Sequence, residues 1–248
     1  MGAVRARAIN LGALRRDLVL IGAGGFGRET IEVVRSINHR QRAWNLLGFL
    51  DDAGPLQGHR VSGVSVLGPI SDAAHRQDVS VTICTGNPTN YSSRQAIVRR
   101  LELPVSRYAT LIHPTAVVPP SVQVGVGCVL QAGVVATADI SVGDHVLVMP
   151  GVVFTHDNVI GDFVTIGAGA SLAGGVRIGA GAYVGAGVLV SAECTVGAGS
   201  LLGMGSVVLR DVPPGQVWCG SPARYLRDAT AAFEVVTSPG LRARGVAS

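Results

Sequence analysis

The sequence contains no lysine, few aromatic residues and few charges. All 20 basic residues are arginine, charged residues make up 15% of the chain, and Phe, Trp and Tyr together make up 4%. The net charge of +4 comes from scattered arginines without a clustered basic patch, which argues against a nucleic-acid-binding protein. Hydrophobic residues still account for 48% of the 248 residues, which is enough to bury the cores of two domains.

The cysteines are few and isolated. Cys84, Cys128, Cys194 and Cys219 form no C-x-x-C pair, which is typical of reduced, buried thiols in a cytoplasmic protein and predicts no metal. No run of about 18 apolar residues is free of glycine-rich interruptions, so we expect no membrane span. Residues 1–16 lack the continuous apolar stretch of a targeting peptide, and we expect them to form an irregular extension.

A six-residue repeat occupies residues 112–213. This segment divides into seventeen consecutive units without insertion, and the first position is Ile, Val or Leu in all but two of them. A spacing of eighteen residues between recurring glycines indicates a three-sided coil that stacks on its neighbours as in other solenoids. The glycines with this spacing stand at position two of their units, at residues 125, 143, 161, 179 and 197.

The positions within one unit predict its shape. Position five is small or branched, and one residue separates it from the apolar position one of the next unit. Strand alternation directs both side chains inward, so positions two to four form the corners. We expect glycine at position two to supply unusual backbone angles there. Antiparallel strands share the period of two, but they would not keep a register of six over seventeen units.

One corner carries an isolated histidine. Small residues on both sides leave open space beside His156, and stacked strands about 4.8 Å apart bring the Gly174 N–H close to an oxyanion forming near the imidazole. Asp157 can accept the other ring N–H, which fixes the tautomer whose free nitrogen acts as a base. The alternative is an ordinary solvated His–Asp pair. The third positions down this corner are Pro120, Ala138, His156, Gly174, Ala192 and Arg210.

Two segments carry a family resemblance. Residues 154–163, FTHDNVIGDF, and residues 172–179, LAGGVRIG, look like the active-site segment of the bacterial sialic-acid O-acetyltransferase and nucleotide-sugar N-acetyltransferase family. The resemblance covers about residues 17–227. It implies a left-handed β-helix, acetyl-CoA as acyl donor and a cytoplasmic homotrimer. It also implies that His156 and Asp157 are base and orienting residue, with Ala173 and Gly174 meeting the thioester.

The same corner predicts the path of the donor. Arg210 lies three coils beyond His156, about 14 Å at about 4.8 Å per coil, which is comparable to an extended pantetheine arm. Coenzyme A along Gly174 and Ala192 would bring its phosphates near Arg210 or Arg224, whose guanidinium groups can pair with phosphate. Arg224 ends the sequence Gly-Ser-Pro-Ala-Arg, which resembles the closing segment of the helix in this family.

The N-terminal part predicts a small Rossmann-like βαβαβ domain. A first strand at 17–21 leads into a G-x-G-x-x-G turn at 22–27 and a helix through Ile37. Further strands at 47–50 and 79–83 end in polar residues, and parallel strands gather such ends at one edge, where nucleotides bind. No dehydrogenase half follows, which argues against NAD.

In the resembled family this domain binds the nucleotide or sugar of the acceptor, with the glycine-rich turn near the phosphates and the paired acids near base and ribose. A purely structural domain is the alternative. Family members acting on nucleotide-linked amino sugars often have His at Phe26, Asn within 148–150 and His at Thr165. The predicted acceptor-binding residues are Gly22, Gly24, Gly25, Phe26, Gly27, Asp51, Asp52, Gly86, Asn87 and Met149.

These observations predict an extension at 1–16, an acceptor-binding domain at 17–108, a catalytic β-helix at 109–227 and a tail at 228–248. The leading function is acetyl-CoA-dependent acetylation of an amino group on a nucleotide-linked deoxyamino sugar. O-acetylation of a sugar hydroxyl by the same base is the alternative. A scaffold or a zinc hydratase is more remote, because zinc needs three His ligands and His113 and His145 fall on corners other than that of His156.

Overall fold

The computed structural model describes residues 15–229, so the predicted extension and tail lie almost wholly outside the described residues. The N-terminal part contains a three-stranded parallel sheet in the order β2-β1-β5 and a small antiparallel hairpin, β3-β4. Its elements are β1 (Arg16–Ile21), α1 (Gly25–Arg40), β2 (Trp44–Leu50), β3 (Arg60–Val61), β4 (Val64–Ser65), β5 (Ser80–Ile83) and α2 (Ser93–Leu101), with 3-10 turns at Gly54–Leu56, Ile70–Ala73 and Val105–Arg107.

The parallel sheet matches the predicted order of strands, with one difference in its second connection. Strand β1 lies in the middle, pairs with β2 and β5, and has fully buried Leu18 and Leu20 side chains. Helix α1 connects β1 to β2, but the hairpin and two 3-10 turns connect β2 to β5 where a second helix was expected. Because all three strands run in the same direction, their carboxyl ends still meet at one edge.

From β6 onwards the chain forms a three-sided parallel β-helix made of two-residue strands. The docked face consists of β6 (Leu111–Ile112), β8 (Val129–Leu130), β11 (Leu147–Val148), β14 (Thr165–Ile166), β17 (Tyr183–Val184), β20 (Leu201–Leu202) and β22 (Gln216–Gly220), with β23 (Ala223–Asp228) antiparallel at its end. The apolar face consists of β9 (Val135–Ala136), β12 (Val153–Phe154), β15 (Ser171–Leu172), β18 (Leu189–Val190) and β21 (Val207–Val208). The polar face consists of β7 (Gln123–Val124), β10 (Ser141–Val142), β13 (Val159–Ile160), β16 (Arg177–Ile178) and β19 (Thr195–Val196).

The strand register confirms the repeat. Val153 pairs with Ser171 and Ser141 pairs with Val159, so each strand stacks on the one eighteen residues later. Side chains at positions five and one fill the interior, as Val152 and Phe154 show with no exposed surface. The stacked coils therefore bury one continuous core, and every corner residue has a neighbour eighteen residues away on the adjacent coil.

The prediction for glycine at position two was wrong. These glycines do not have positive φ angles, and left-handed backbone occurs at position four instead. A Cβ on Gly161 would lie 2.6 Å from the Ala180 nitrogen, so glycine is needed because the next coil approaches closely. Position four accepts glycine and several other types in the left-handed region, including Asp139, His145, Asp157, Phe163 and Glu193.

The N-terminal part packs against the docked face. Leu111, Val129 and Leu147 belong to the same buried cluster as Phe26 and Ile31 of α1. The outward-facing side chains of the docked face are therefore covered by the N-terminal part of the same chain. The described residues of the N-terminal part do not cover the corresponding side chains of the other two faces.

Arg94 of α2 fastens the two parts together. Its guanidinium is fully buried and donates to the carbonyl oxygens of Thr85 at 2.6 Å, His145 at 3.0 Å and Phe163 at 2.6 Å. Burial lowers the pKa of Arg94 to about 10, which leaves the cation intact at neutral pH. Burying a charged group is costly unless it is hydrogen-bonded, and here backbone carbonyls of both parts bind the buried guanidinium.

Within residues 15–229, no helix is long and apolar enough to cross a bilayer.

The close approach at position two gives a stability prediction. Gly161→Ala should lower the free energy of unfolding by about 1–3 kcal/mol, because its Cβ collides with backbone that cannot move freely. Gly151→Asn is the matched control. Gly151 has a φ of 70° and open space around it, and Asn tolerates this conformation, so the cost should stay below about 1 kcal/mol. Denaturant unfolding of both variants measures the difference, and an equal loss would contradict the steric explanation.

Candidate active site

His156 stands at the corner between the apolar and polar faces, which is the corner opposite the docked face. Backbone hydrogen bonds fix its neighbours to both adjacent coils. The Thr155 N–H donates to the Leu172 carbonyl and the Asp157 N–H donates to the Ala138 carbonyl, each at 3.1 Å. The His156 carbonyl itself accepts the Gly175 N–H at 3.0 Å. The imidazole therefore projects from a backbone that is held on two sides.

The imidazole and the next carboxylate form a close pair. His156 Nδ1 lies 2.7 Å from Asp157 Oδ2, and the two side chains are 65% and 64% exposed. Asp157 adopts a φ of 62°, a left-handed conformation that Asp tolerates better than most residues. With Nδ1–H donated to the carboxylate, Nε2 carries the free lone pair and can accept a proton.

Gly174 lies directly under the imidazole. A Cβ on Gly174 would lie 2.5 Å from His156 Cε1 and 2.6 Å from Nε2, so only glycine permits this position of the ring. In the part of the chain that the structure describes, the Gly174 N–H has no hydrogen-bond acceptor. A backbone donor and a free imidazole nitrogen are thus presented side by side, which is the arrangement that acyl transfer needs at its tetrahedral stage.

A cavity of about 530 Å³ lies elsewhere, at the carboxyl edge of the parallel sheet. Eight of the ten predicted acceptor-binding residues line it. Gly27 and Asp52 do not. The lining residues are Gly22, Gly24, Gly25, Phe26, Glu29, Asp51, Cys84, Thr85, Gly86, Asn87, Pro88, Asn90, Ser93, Met149 and Tyr183.

The glycine-rich turn has a clear local cause. Gly22 has a φ of 98°, and a Cβ on Gly27 would collide with the Gly22 carbonyl. Asp51 holds the turn, because its carboxylate accepts the N–H groups of Ala23 and Ala53 at 2.8 Å each. The turn is therefore fixed against the end of β2, with the start of α1 facing the cavity.

Asp52 was predicted to meet the acceptor, but its side chain is engaged outside the cavity. Its carboxylate accepts the Ile70 N–H at 2.9 Å and pairs with Arg100 at 2.8 Å. Burial raises the pKa of Asp52, but the hydrogen bonds from Ile70 and Arg100 and the arginine charge outweigh it and lower the pKa overall. The second acid of the pair thus anchors the loop after β2.

Sequence reasoning missed Tyr183, Asn90 and Ser93 among the cavity residues. Tyr183 occupies an outward-facing position of β17, and only the docking of the N-terminal part turns that position into a wall. Cys84 also lines the cavity, but burial raises the pKa of its thiol to about 12, so it contributes a neutral wall and no thiolate.

Thr165 and Met149 are the two positions in the repeat that depart from the family pattern, and both make defined contacts. Thr165, where His is frequent, is fully buried and accepts a hydrogen bond from Arg94 Nη2 at 2.8 Å. Met149 packs against the buried cluster that includes Phe26, and both line the cavity. Both positions therefore contribute to the docking of the N-terminal part in this chain.

The residues predicted to bind acetyl-CoA lie only partly together in the structure. Ala173 and Gly174 lie beside His156, and Ala192 is exposed one coil further along the same corner. The Arg210 guanidinium instead lies 5.1 Å from the centre of the Trp218 ring, at the end of the β-helix. Arg224 is exposed, and its Nη1 donates to the neighbouring Ala223 carbonyl at 2.9 Å.

The three imidazoles of the repeat stand at three different corners. His113 follows the docked face, His145 precedes it, and His156 lies opposite. His145 is buried, and burial lowers its pKa to about 4. These histidines therefore do not converge on one zinc ion. Among residues 15–229, no group of three His, Cys, Asp or Glu side chains is arranged to hold a metal.

Comparisons with known proteins agree with this architecture. Residues 17–101 match the PglD N-terminal domain, and residues 159–192 match the bacterial transferase hexapeptide repeat. Among curated protein sequences, none matches this chain.

Several solved structures are similar over most of their length. The acetyltransferase domain of PglB from Neisseria gonorrhoeae in complex with acetyl coenzyme A is 32% identical, with a TM-score of 0.76 over 86% of this chain and 100% of that one. PerB from Caulobacter crescentus in complex with CoA and GDP-perosamine is 31% identical, with a TM-score of 0.74 over 85% and 97%. WeeI from Acinetobacter baumannii is 28% identical, with a TM-score of 0.71 over 84% and 99%.

The chain therefore belongs to the hexapeptide-repeat, left-handed β-helix acyltransferases of the sialic-acid O-acetyltransferase and nucleotide-sugar N-acetyltransferase family. The fold class expected from the sequence is confirmed, and the protein is an acyltransferase.

The contact between Gly174 and the imidazole gives a prediction on activity. Gly174→Ala should lower turnover roughly 100-fold, because the new Cβ pushes the ring from its position and a shift of about 1 Å can cost that much. The fold should persist, since the collision is with an exposed side chain. Gly151→Ala is the control, because it adds strain at another corner without meeting the ring. Steady-state turnover measures both, and full activity of Gly174→Ala would contradict the arrangement.

Proposed function

We propose that this protein is an acetyl-CoA-dependent N-acetyltransferase that acts on the amino group of a nucleotide-linked deoxyamino sugar. The observation that carries the proposal is the His156 imidazole, oriented by Asp157 and lying over Gly174. The solved relatives support the substrates, because PglB is described with acetyl coenzyme A and PerB with CoA and GDP-perosamine.

In the proposed reaction the free amine of the acceptor attacks the thioester carbonyl carbon of acetyl-CoA. His156 Nε2 accepts a proton from the attacking nitrogen, and Asp157 stabilises the resulting imidazolium through Nδ1–H. The carbonyl oxygen becomes an oxyanion facing the Gly174 N–H. When the tetrahedral intermediate collapses, the carbon–sulfur bond breaks, and the CoA thiolate leaves and takes up the proton from the imidazolium.

The lining of the cavity favours the nucleotide part of the acceptor, which would be bound away from the reacting amine. Gly24 and Gly25 lie at the N-terminus of α1, whose unpaired N–H groups favour phosphate. Asn87 and Asn90 supply hydrogen-bonding groups, and Tyr183 supplies an aromatic wall. The volume of about 530 Å³ is within the range of small-molecule sites.

The donor would follow the corner past Ala173, Gly174 and Ala192. Arg224 is the stronger candidate for its phosphates, because Arg210 already lies over the Trp218 ring. An exposed guanidinium at the end of the β-helix can pair with phosphate without losing an existing partner of opposite charge.

The positions of the two half-sites support a homotrimer. The cavity borders the docked face and His156 stands at the opposite corner, so one chain does not bring its own acceptor to its own base. The apolar face, which adjoins the His156 corner, presents apolar side chains outward, and Val117 and Leu189 are 54% and 49% exposed. A second copy packed on this face would cover them and lie next to His156. The outward residues of the face are Val117, Val135, Val153, Ser171, Leu189 and Val207.

The first experiment measures thiol release from acetyl-CoA with a panel of nucleotide-linked amino sugars. Wild type should release thiol with at least one of them. His156→Ala should lower turnover by roughly two to four orders of magnitude, the range for a general base, without loss of fold. Asp157→Asn should cost less, because it disturbs orientation and leaves the proton acceptor in place.

Three outcomes would contradict this assignment. Near-normal turnover of His156→Ala would exclude His156 as the base. A larger loss of turnover in Asp157→Asn than in His156→Ala would point to the Asp157 carboxylate as the base. A product that mild hydroxylamine cleaves would be an ester, which would assign O-acetylation in place of N-acetylation.

The second experiment tests sharing of the site between subunits. Gly24→Phe should fill the cavity, because open space surrounds Gly24, and should be inactive alone. Differently tagged His156→Ala and Gly24→Phe chains are co-expressed, and the mixed oligomers are purified through both tags. If each site combines the base of one chain with the cavity of the next, a mixed trimer keeps one intact site, about one third of wild-type activity.

Mixed oligomers as inactive as their parents would contradict a shared site. Sedimentation analysis supplies the independent readout, and active monomers would overturn the trimer.

A further inference from the structure

Asn158 is the only amide among the position-five side chains of the seventeen units. Position five faces the interior, and Asn158 has no exposed surface. The residues before and after it in the same interior column are Ile140 and Val176. A large polar side chain therefore occupies a place where the other units have small or branched side chains, all of them apolar or cysteine except Ser200 and Ser206, and it does so at the corner of His156.

The amide connects the two coils that form the site. Asn158 Nδ2 donates to the Ala173 carbonyl at 2.7 Å and lies 3.5 Å from the His156 carbonyl. The first contact is a good hydrogen bond, and the second is long. One side chain thus links the coil of the base to the peptide bond that precedes Gly174.

This contact holds the Ala173–Gly174 peptide in the orientation that sets the direction of the Gly174 N–H. In a planar trans peptide the carbonyl and the following N–H point in opposite directions. Because the Ala173 carbonyl is turned inward to Asn158, the Gly174 N–H is turned outward, to the side on which the His156 ring lies.

This arrangement leaves one buried side-chain oxygen without a hydrogen bond. Asn158 Oδ1 is buried and has no hydrogen-bond partner among residues 15–229. Buried polar atoms without partners destabilise a fold. Valine, which stands at 122, 176 and 212 in the same column, would remove this oxygen, but it would also remove the donor to the Ala173 carbonyl. The amide is thus unfavourable for packing and useful for the direction of one peptide bond.

We infer that Asn158 is a positioning residue for acyl transfer, which holds the Ala173–Gly174 peptide so that its N–H faces the developing oxyanion. The inference rests on the proposed function and adds a residue that acts through Gly174 without touching either substrate.

The chain contains a matched control for this role. Cys128 also stands at position five, and its Sγ lies 3.1 Å from the Gly143 carbonyl, which is fifteen residues later, as Ala173 is from Asn158. Gly143 belongs to the corner between the polar and docked faces, away from His156. Cys128→Val therefore removes an equivalent interior contact at a corner without the base.

The test compares Asn158→Val, Asn158→Cys and Cys128→Val. Asn158→Val should lower kcat about tenfold or more and leave both Michaelis constants within about twofold, since an oxyanion donor acts mainly in the transition state. Its melting temperature should stay close to that of wild type, because the substitution removes both the unpaired Oδ1 and the hydrogen bond to the Ala173 carbonyl. Cysteine already occupies this column at Cys194 and keeps a weak donor, so Asn158→Cys should fold and lose less activity. Cys128→Val should keep wild-type kcat.

The pH dependence of kcat separates the role of Asn158 from that of the base. It should keep the wild-type apparent pKa in Asn158→Val, because the imidazole and Asp157 are untouched. A kcat of Asn158→Val within twofold of wild type, or an equal loss in Cys128→Val, would overturn the inference. Wild-type turnover that depends on His156 but not on Asn158 would reject this inference alone, whereas absence of wild-type turnover would reject the proposed function.

Discussion

The parallel hydrogen bonds between successive coils determine the geometry of the β-helix. Each coil contributes eighteen residues and stacks directly on the next, so residues far apart in sequence become neighbours at a fixed spacing. Gly174 lies beneath His156 because of this register, and Gly175 donates to the His156 carbonyl. A slip of one residue would turn interior side chains outward and separate the imidazole from the Gly174 N–H.

Under the proposed function, the same stacking leaves the site incomplete in one chain. The β-helix presents His156 at one corner and carries the N-terminal part on the opposite face, so the proposed base and the cavity lie apart in one chain. The buried Arg94 fixes the domain to the docked face through carbonyls of both parts. In the proposed trimer, a rigid subunit would present the His156 corner in a fixed geometry to the cavity of a neighbouring subunit.

Much of this arrangement could be predicted from the sequence because it is periodic. The register of six placed His156, Gly174 and the interior positions correctly. The backbone conformations at the corners were not predicted, since left-handed angles occur at position four with residues as different as Asp157 and Phe163. The docking of the domains was also missed, because a buried arginine satisfied by carbonyls, such as Arg94, leaves no pattern in the sequence. The position of Asp52 outside the cavity was not predicted for a related reason, because its partner Arg100 is distant in sequence.

The position of the thioester is the central claim, and a crystal structure of His156→Ala with acetyl-CoA tests it most directly. The account predicts the thioester carbonyl oxygen within hydrogen-bond distance of the Gly174 nitrogen, beside the space left by the imidazole, with the pantetheine arm passing Ala192. Acetyl-CoA bound in the cavity of the N-terminal part, or with its thioester at another corner of the β-helix, would contradict it.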